Sequence, residues 1–157
     1  MTVGPEDYRK ALRRFASGIT VVTVANGDEL HGMTASSFAA VSLVPPLILV
    51  SLEKGSRTRT LVMDARHFGV NILADHQEAL ARSFSLPGQK PFENTKHRIG
   101  KNKLPLLEGA IAWLECRVFE TVDAGDHDVV IGEVLRCEAR DGSPLVYFNR
   151  DYRSLLG

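Results

Sequence analysis

Two short hydroxyl-rich stretches offer the clearest chemistry in this sequence. The first is Thr34-Ala35-Ser36-Ser37, inside GMTASSFAAVSLVPPLILVSL, and the second is Ser51-Leu52-Glu53-Lys54-Gly55-Ser56-Arg57-Thr58, which closes the following apolar run. Hydroxyls set among apolar residues need partners, since an unpaired buried one costs about 1–3 kcal/mol. Small residues let a flat ring lie against the backbone, whose N–H and C=O groups can then pair with the ring edge. Hydroxyls, a lysine and a helix N-terminus together make a phosphate site. A planar heteroaromatic with a phosphate tail would satisfy both stretches at once. Such spacing more often marks a Ser/Thr-rich turn or bulge for the first and an ordinary capped helix for the second.

Other chemistries are excluded by pattern. No GxGxxG follows a strand, and Walker A, HExxH and GxSxG motifs do not occur, so a Rossmann-bound dinucleotide is not expected. The histidines, His31, His67, His76, His97 and His127, lack metal-ligand spacing, and no metal site is expected. Asp126-His127-Asp128 is the one tight cluster of acid and imidazole, and such residues also make plain solvated turns.

Composition narrows the partners. A chain of 157 residues, 44% apolar, suits a single domain over 1–157 that buries most of its apolar surface. Lys plus Arg and Asp plus Glu each number 19, so no global field exists to attract nucleic acid. Cys116 and Cys137 form no CxxC pair, which argues against a disulfide framework or zinc ribbon and for a reducing, cytoplasmic setting. The opening MTVGPEDYRKALRRF is charged and lacks the apolar core of a signal peptide, and the apolar run around Val44–Val50 is too short to cross a bilayer. A protein with no membrane partner is expected.

The elements that would position these residues follow from periodicity. Pro5, Glu6 and Asp7 suit a helix start, and Tyr8, Leu12 and Phe15 recur at helical spacing, which predicts an amphipathic helix over 5–16 ended by Gly18. ITVVTVA and the segment Glu29 to Ala35, joined by Asn26-Gly27-Asp28, predict a hairpin. LILVSL is apolar on both faces and predicts a central strand. SRTRTLVMDA predicts a short helix capped by Ser56, and HFGVNIL a buried strand. Asp75 is the candidate cap of a helix through HQEALARSF with Ala79, Leu80 and Phe84 on one side. Residues 86–105 predict a long irregular segment carrying Phe92 as its one aromatic. Two long strands near 110–122 and 127–139 turn at Gly125-Asp126, and PLVYF adds another. Six or seven strands with three accessory helices predict a mainly β protein, an antiparallel barrel.

In order along the chain, GMTASSFAAVSLVPPLILVSL, EKGSRT, HFGVNIL, LARSF, PLLEGAIAWLECRV, GDHDVVIGEV and PLVYFNRDYRSL resemble the short-chain flavin reductase family, the reductase components of two-component flavin-dependent monooxygenases. The resemblance spans nearly the whole chain. It implies an FMN-binding split β-barrel of Greek-key type, a homodimer, and hydride transfer from the nicotinamide C4 of NADH or NADPH to flavin N5. Reduced FMN or FAD would then pass to a separate oxygenase. It implies that Thr34, Ala35, Ser36 and Ser37 meet the flavin ring, that Ser51, Lys54, Ser56 and Thr58 hold the ribityl and phosphate part, and that Phe84 packs on the flavin. His127 would position the nicotinamide, and Tyr152 would border the same mouth. Glu53 departs from the family pattern, because an acid beside a phosphate is repulsive unless it points away, and is left outside the site. Lys96-His97-Arg98 departs too, at the positions after the variable loop. A non-catalytic flavin-binding or electron-transfer protein on the same barrel is the alternative function, and an amine oxidase on a related barrel a more distant one.

Overall fold

The structure is a computed structural model, and it describes residues 1–88 and 91–155. In chain order the elements are α1 (Pro5–Leu12), β1 (Ser17–Gly18), β2 (Thr20–Asn26), β3 (Glu29–Ala35), β4 (Ala39–Ser42), β5 (Leu47–Glu53), α2 (Arg57–Ala65), β6 (His67–Ile72), α3 (Glu78–Phe84), a 3-10 turn at Pro91–Glu93, β7 (His97–Ile99), β8 (Pro105–Leu107), β9 (Ala112–Ala124), β10 (His127–Ala139), β11 (Val146–Phe148) and β12 (Asp151–Arg153). Seven strands form the main sheet in the order β3-β2-β6-β9-β10-β5-β4. Every pairing in it is antiparallel. Its two edge strands, β3 and β4, are consecutive in the chain and separated only by Ser36, Ser37 and Phe38. The sheet therefore has to curl until its edges approach one another, which agrees with the antiparallel barrel of the strand pattern and the split barrel that the family resemblance implies.

β2 explains how one sheet carries two cores. Its β-branched residues are buried on both faces: Val22 and Val24 join Val50, Leu52, Leu61, Val62 and Phe68 beneath α2, while Val21 joins Ile19, Ala81, Phe84 and Leu145 beneath α3. The β2–β3 turn falls at Gly27, with φ of +61°, where glycine adopts the left-handed backbone without penalty. A small hairpin, β7–β8, docks on this sheet through buried polar contacts. Asn71 Oδ1 accepts the Leu107 N–H at 2.8 Å, and Thr23 Oγ1 donates to the Pro105 carbonyl at 2.8 Å.

Several boundaries differ from expectation for reasons of tertiary pairing. The first helix stops at Leu12, not at residue 16, because the chain turns so that Ser17-Gly18 can pair with Val146 and Tyr147. Its Tyr8, Leu12 and Phe15 remain exposed. α3 is capped by position rather than by Asp75: Gln77 precedes it, with Oε1 accepting the Ala74 N–H at 2.9 Å and Nε2 donating to the Glu108 carbonyl at 3.0 Å. Ala81 and Phe84 are its buried residues, and Ala79 is exposed. LILVSL is an interior strand, paired with β10 on one side and the β4 edge on the other, but it buries Ile48, Val50 and Leu52 on one face rather than both. The 86–105 segment holds the 3-10 turn and β7. Its residues 89 and 90 lie outside the described ones.

Candidate active site

The end of β3 forms a ledge whose hydroxyls are largely satisfied by the protein. Thr34 Oγ1 donates to the Ala81 carbonyl at 2.6 Å, joining β3 to α3, and the buried Ala35 presents its carbonyl to Thr20 Oγ1 at 2.8 Å. Ser37 bridges to β5, its Oγ donating to the Ser51 carbonyl at 3.1 Å and accepting the Ser51 N–H at 3.0 Å. This bridge ties the chain just beyond one edge strand to β5, the strand next to the other edge. Ser36 alone of the four is exposed. The ledge is thus a piece of backbone pinned by hydrogen bonds, with the Ser36 hydroxyl unbonded among the described residues, which suits pairing with the edge of a planar ring.

Three neighbouring depressions lie around this ledge. A cleft of about 430 Å³ is walled by His31, Gly32, Ser56, Thr58 and Phe84. Through Ser85 it adjoins a depression of about 300 Å³ bordered by Thr34, Ser36, Arg82, Arg150 and Tyr152. Ser36, Tyr147 and Arg150 then lead into a third, of about 530 Å³, between Ser37 and the α1 residues Arg9 and Leu12. Phe84 is 4% exposed and meets Phe92 edge to face at 5.1 Å, so its ring forms a fixed wall. Tyr152 packs on Tyr147 at 5.3 Å with the Arg82 guanidinium 4.8 Å over its ring.

The start of α2 lies at the other side of the 430 Å³ cleft. Ser56 is the N-cap, as its type and place predict: its Oγ accepts the Arg59 N–H at 3.2 Å and donates to the Glu53 carbonyl at 2.7 Å. Helix geometry leaves the N–H groups of Arg57 and Thr58 without intrahelical acceptors, directed at the mouth of the helix. Thr58 is buried against the same cleft. Glu53 also borders it, on the exposed end of β5.

Lys54 and His127 lie together, and neither lines the cleft that Phe84 walls or the depression that Tyr152 borders. Lys54 Nζ donates to Asp123 Oδ1 at 2.6 Å and to the Gly125 carbonyl at 2.7 Å, and its backbone N–H reaches the Asp126 carbonyl at 3.0 Å. His127 opens β10 opposite Glu53, with Nδ1 at 2.6 Å from Asp126 Oδ1. That hydrogen bond, and the imidazolium charge behind it, hold the Asp126 carboxyl below its ordinary range.

Gly32, His31 and Arg57 are site-lining residues that residue types alone did not single out. A glycine inside an otherwise β-branched strand pattern is the signal that would have found the first. His31 is half-buried, and burial pushes its imidazole below the usual value, with Glu29 opposing and Arg57 reinforcing the shift. Arg57 and Glu29 are paired at 2.7 Å, which lowers the Glu29 carboxyl and raises the guanidinium.

The chain has clear relatives among known proteins. Residues 12–156 match the flavin reductase like domain. The chain is 40% identical to an NADH-dependent flavin reductase from a Rhodococcus species, over 98% of this chain and 88% of that protein. It is 38% identical to the reductase component of 4-hydroxyphenylacetate 3-monooxygenase from Thermus thermophilus, over 96% of this chain and 97% of that one. Among solved structures, the flavin reductase component of a bacterial two-component tryptophan halogenase superposes with a TM-score of 0.91 at 37% identity, covering 97% of this chain and 98% of that chain. An NADH:FAD oxidoreductase from Streptomyces globisporus, solved with NAD and FAD fragments, superposes with a TM-score of 0.91 at 33% identity, covering 98% of this chain and 95% of that one. The chain belongs to the flavin reductase-like family.

Proposed function

We propose that this protein is an NAD(P)H:flavin oxidoreductase that passes reduced FMN or FAD to a separate oxygenase component. The observation that carries this reading is the hydrogen-bonded backbone ledge at Thr34–Ser37 and the capped helix start at Ser56, which border neighbouring depressions sharing Ser85, in a chain of this family. Relatives named as NADH-dependent reductases favour NADH as the donor. A bound flavin supplies the hydride acceptor, so the chain itself has to bind, orient and exclude water. Orientation of two reactants can lower a barrier by up to about 7–11 kcal/mol, and no acid or base from the protein is required.

Each residue then has a binding task. The Thr34, Ala35, Ser36 and Ser37 backbone, with the Ser36 hydroxyl, meets the ring edge, and Phe84 fixes its position. Ser51 acts through its hydrogen bonds to Ser37. The α2 start, through Thr58 and the cap Ser56, receives the phosphate, and Lys54 adds a cation from the preceding turn. His127 hydrogen-bonds the nicotinamide amide, and Tyr152 borders the entrance. The protein works as a homodimer in the cytoplasm. The exposed apolar side chains of Tyr8, Leu12, Phe15, Leu43 and Val44 support the first point, and two free cysteines support the second. Burial raises the Cys116 thiol to about 12, with smaller contributions from Cys137 and Glu115.

The test is a matrix of both nicotinamides against riboflavin, FMN and FAD, followed by the loss of reduced-nicotinamide absorbance. Flavin-dependent oxidation supports the assignment. Flavin that stays bound through gel filtration and is not bleached by either nicotinamide would instead mark a non-catalytic carrier.

A further inference from the structure

Asp123 and Asp128 stand directly opposite one another on β9 and β10, next to the turn that carries His127. Like charges so placed repel. Each is met by a cation from one short segment: Lys54 pairs with Asp123 at 2.6 Å, and Arg59 Nε pairs with Asp128 Oδ2 at 2.8 Å. The two pairs are not equivalent. Asp123 has a side chain 82% exposed, whereas that of Asp128 is 6% exposed and lies on the inward face beside the fully buried Leu52. Solvent weakens the first pair and leaves the second as the strong link.

Arg59 is also the residue whose backbone N–H the Ser56 cap accepts. Its main chain therefore belongs to the anion-binding start of α2, while its guanidinium grips the strand residue immediately after His127. We infer that Arg59 and Asp128 are positioning residues that couple phosphate binding at the α2 start to nicotinamide binding at His127. This rests on the site assignment proposed above. An anion that orders the first turn of α2 also orders Arg59, and through Asp128 fixes the backbone of β10 at His127. The coupling needs no movement of either ligand site, only a reduction of the freedom both share. A flavin without phosphate adds no ligand contact to the Ser56 cap and the Arg59–Asp128 pair, and the nicotinamide then meets a histidine whose strand is held by the protein alone.

The experiment is the KM for NADH measured with FMN and with riboflavin. In the wild-type protein the KM with riboflavin is expected to exceed that with FMN by about fivefold or more, the lower end of common coupling strengths. Asp128→Asn keeps the side-chain shape, Arg59→Lys keeps the cation but withdraws the Nε donor, and the Arg59→Met/Asp128→Leu double variant replaces the pair with apolar side chains of similar size. The ratio is expected to fall to about one in each folded variant. A residue that merely stabilises the fold would raise both KM values by the same factor and leave the ratio intact. A wild-type ratio of one, or a ratio that persists in any folded variant, overturns the coupling. A wild-type protein that oxidises NADH with neither flavin defeats the proposed activity instead, so the two failures are distinguishable.

Discussion

The Phe84 ring occupies the space that Gly32 leaves open: a Cβ built on Gly32 would lie 2.7 Å from Phe84 Cε1 and 2.9 Å from Cδ1. Neither residue can give way freely, since Phe84 is buried and held edge to face by Phe92, which in turn meets His97 at 5.1 Å. Gly32→Ala is therefore expected to displace the aromatic wall, destabilise the protein by about 1–3 kcal/mol and weaken flavin binding. Thermal unfolding and flavin fluorescence titration check both effects. Gly32→Ala/Phe84→Leu should recover stability without recovering flavin affinity, because it relieves the overlap but removes the wall.

Lys54 is shared between two tasks. Its ion pair with Asp123 is largely exposed, at 39% and 82% for the two side chains, and such pairs contribute about 0–1 kcal/mol. A charge-assisted hydrogen bond to phosphate is stronger. Lys54→Ala should leave the unfolding midpoint nearly unchanged while weakening FMN by about tenfold and riboflavin hardly at all. Equal losses for the two flavins would remove Lys54 from the phosphate site.

His127 is held by Asp126 at 2.6 Å at the head of β10, where its side chain is 43% exposed. A residue in that position can contact a ligand arriving from solvent without supporting the core. His127→Ala is expected to raise the KM for NADH about tenfold while the flavin Kd changes less than twofold, as for loss of a single ligand hydrogen bond. Steady-state kinetics and flavin titration together decide it.

What could be read from the sequence was local in origin. The β2–β3 hairpin follows from Asn26-Gly27-Asp28 between β-branched runs, and the α2 boundary from Ser56, whose cap bond spans three residues. The long β9–β10 hairpin and the mainly β class followed in the same way. The features that escaped depend on contacts distant in sequence. β1, β4 and β8 are too short to show a period and exist because of Val146, Leu49 and His97 across from them. The Thr34 hydroxyl donates to the Ala81 carbonyl on α3, a partner 47 residues away that no local pattern signals. Ser37 is likewise satisfied by Ser51, which both accepts from and donates to its hydroxyl across the barrel edge. Lys54 had no visible rival for its charge, because Asp123 lies in a strand pair that only the folded hairpin brings near. The ledge survives these corrections as backbone geometry rather than as a row of free hydroxyls.

His31 makes stability depend on pH in a defined direction. It sits on β3 beside the Arg57–Glu29 pair and lines the 430 Å³ cleft, and its half-burial lowers the imidazole from its usual value of 6.5. The unfolded chain thus binds a proton at this position more readily than the native one. Stability from this group is fully present above the unfolded value and is lost as pH falls below about 6.5 toward the lower native value. His31→Gln removes the titration while keeping a polar side chain. The difference in unfolding midpoint between wild type and His31→Gln should then favour wild type more at about pH 8 than at about pH 5.5, with the carboxylates common to both cancelling. A difference that is the same at both pH values would mean that the native imidazole titrates as it does in the unfolded chain, and burial at β3 would no longer account for it.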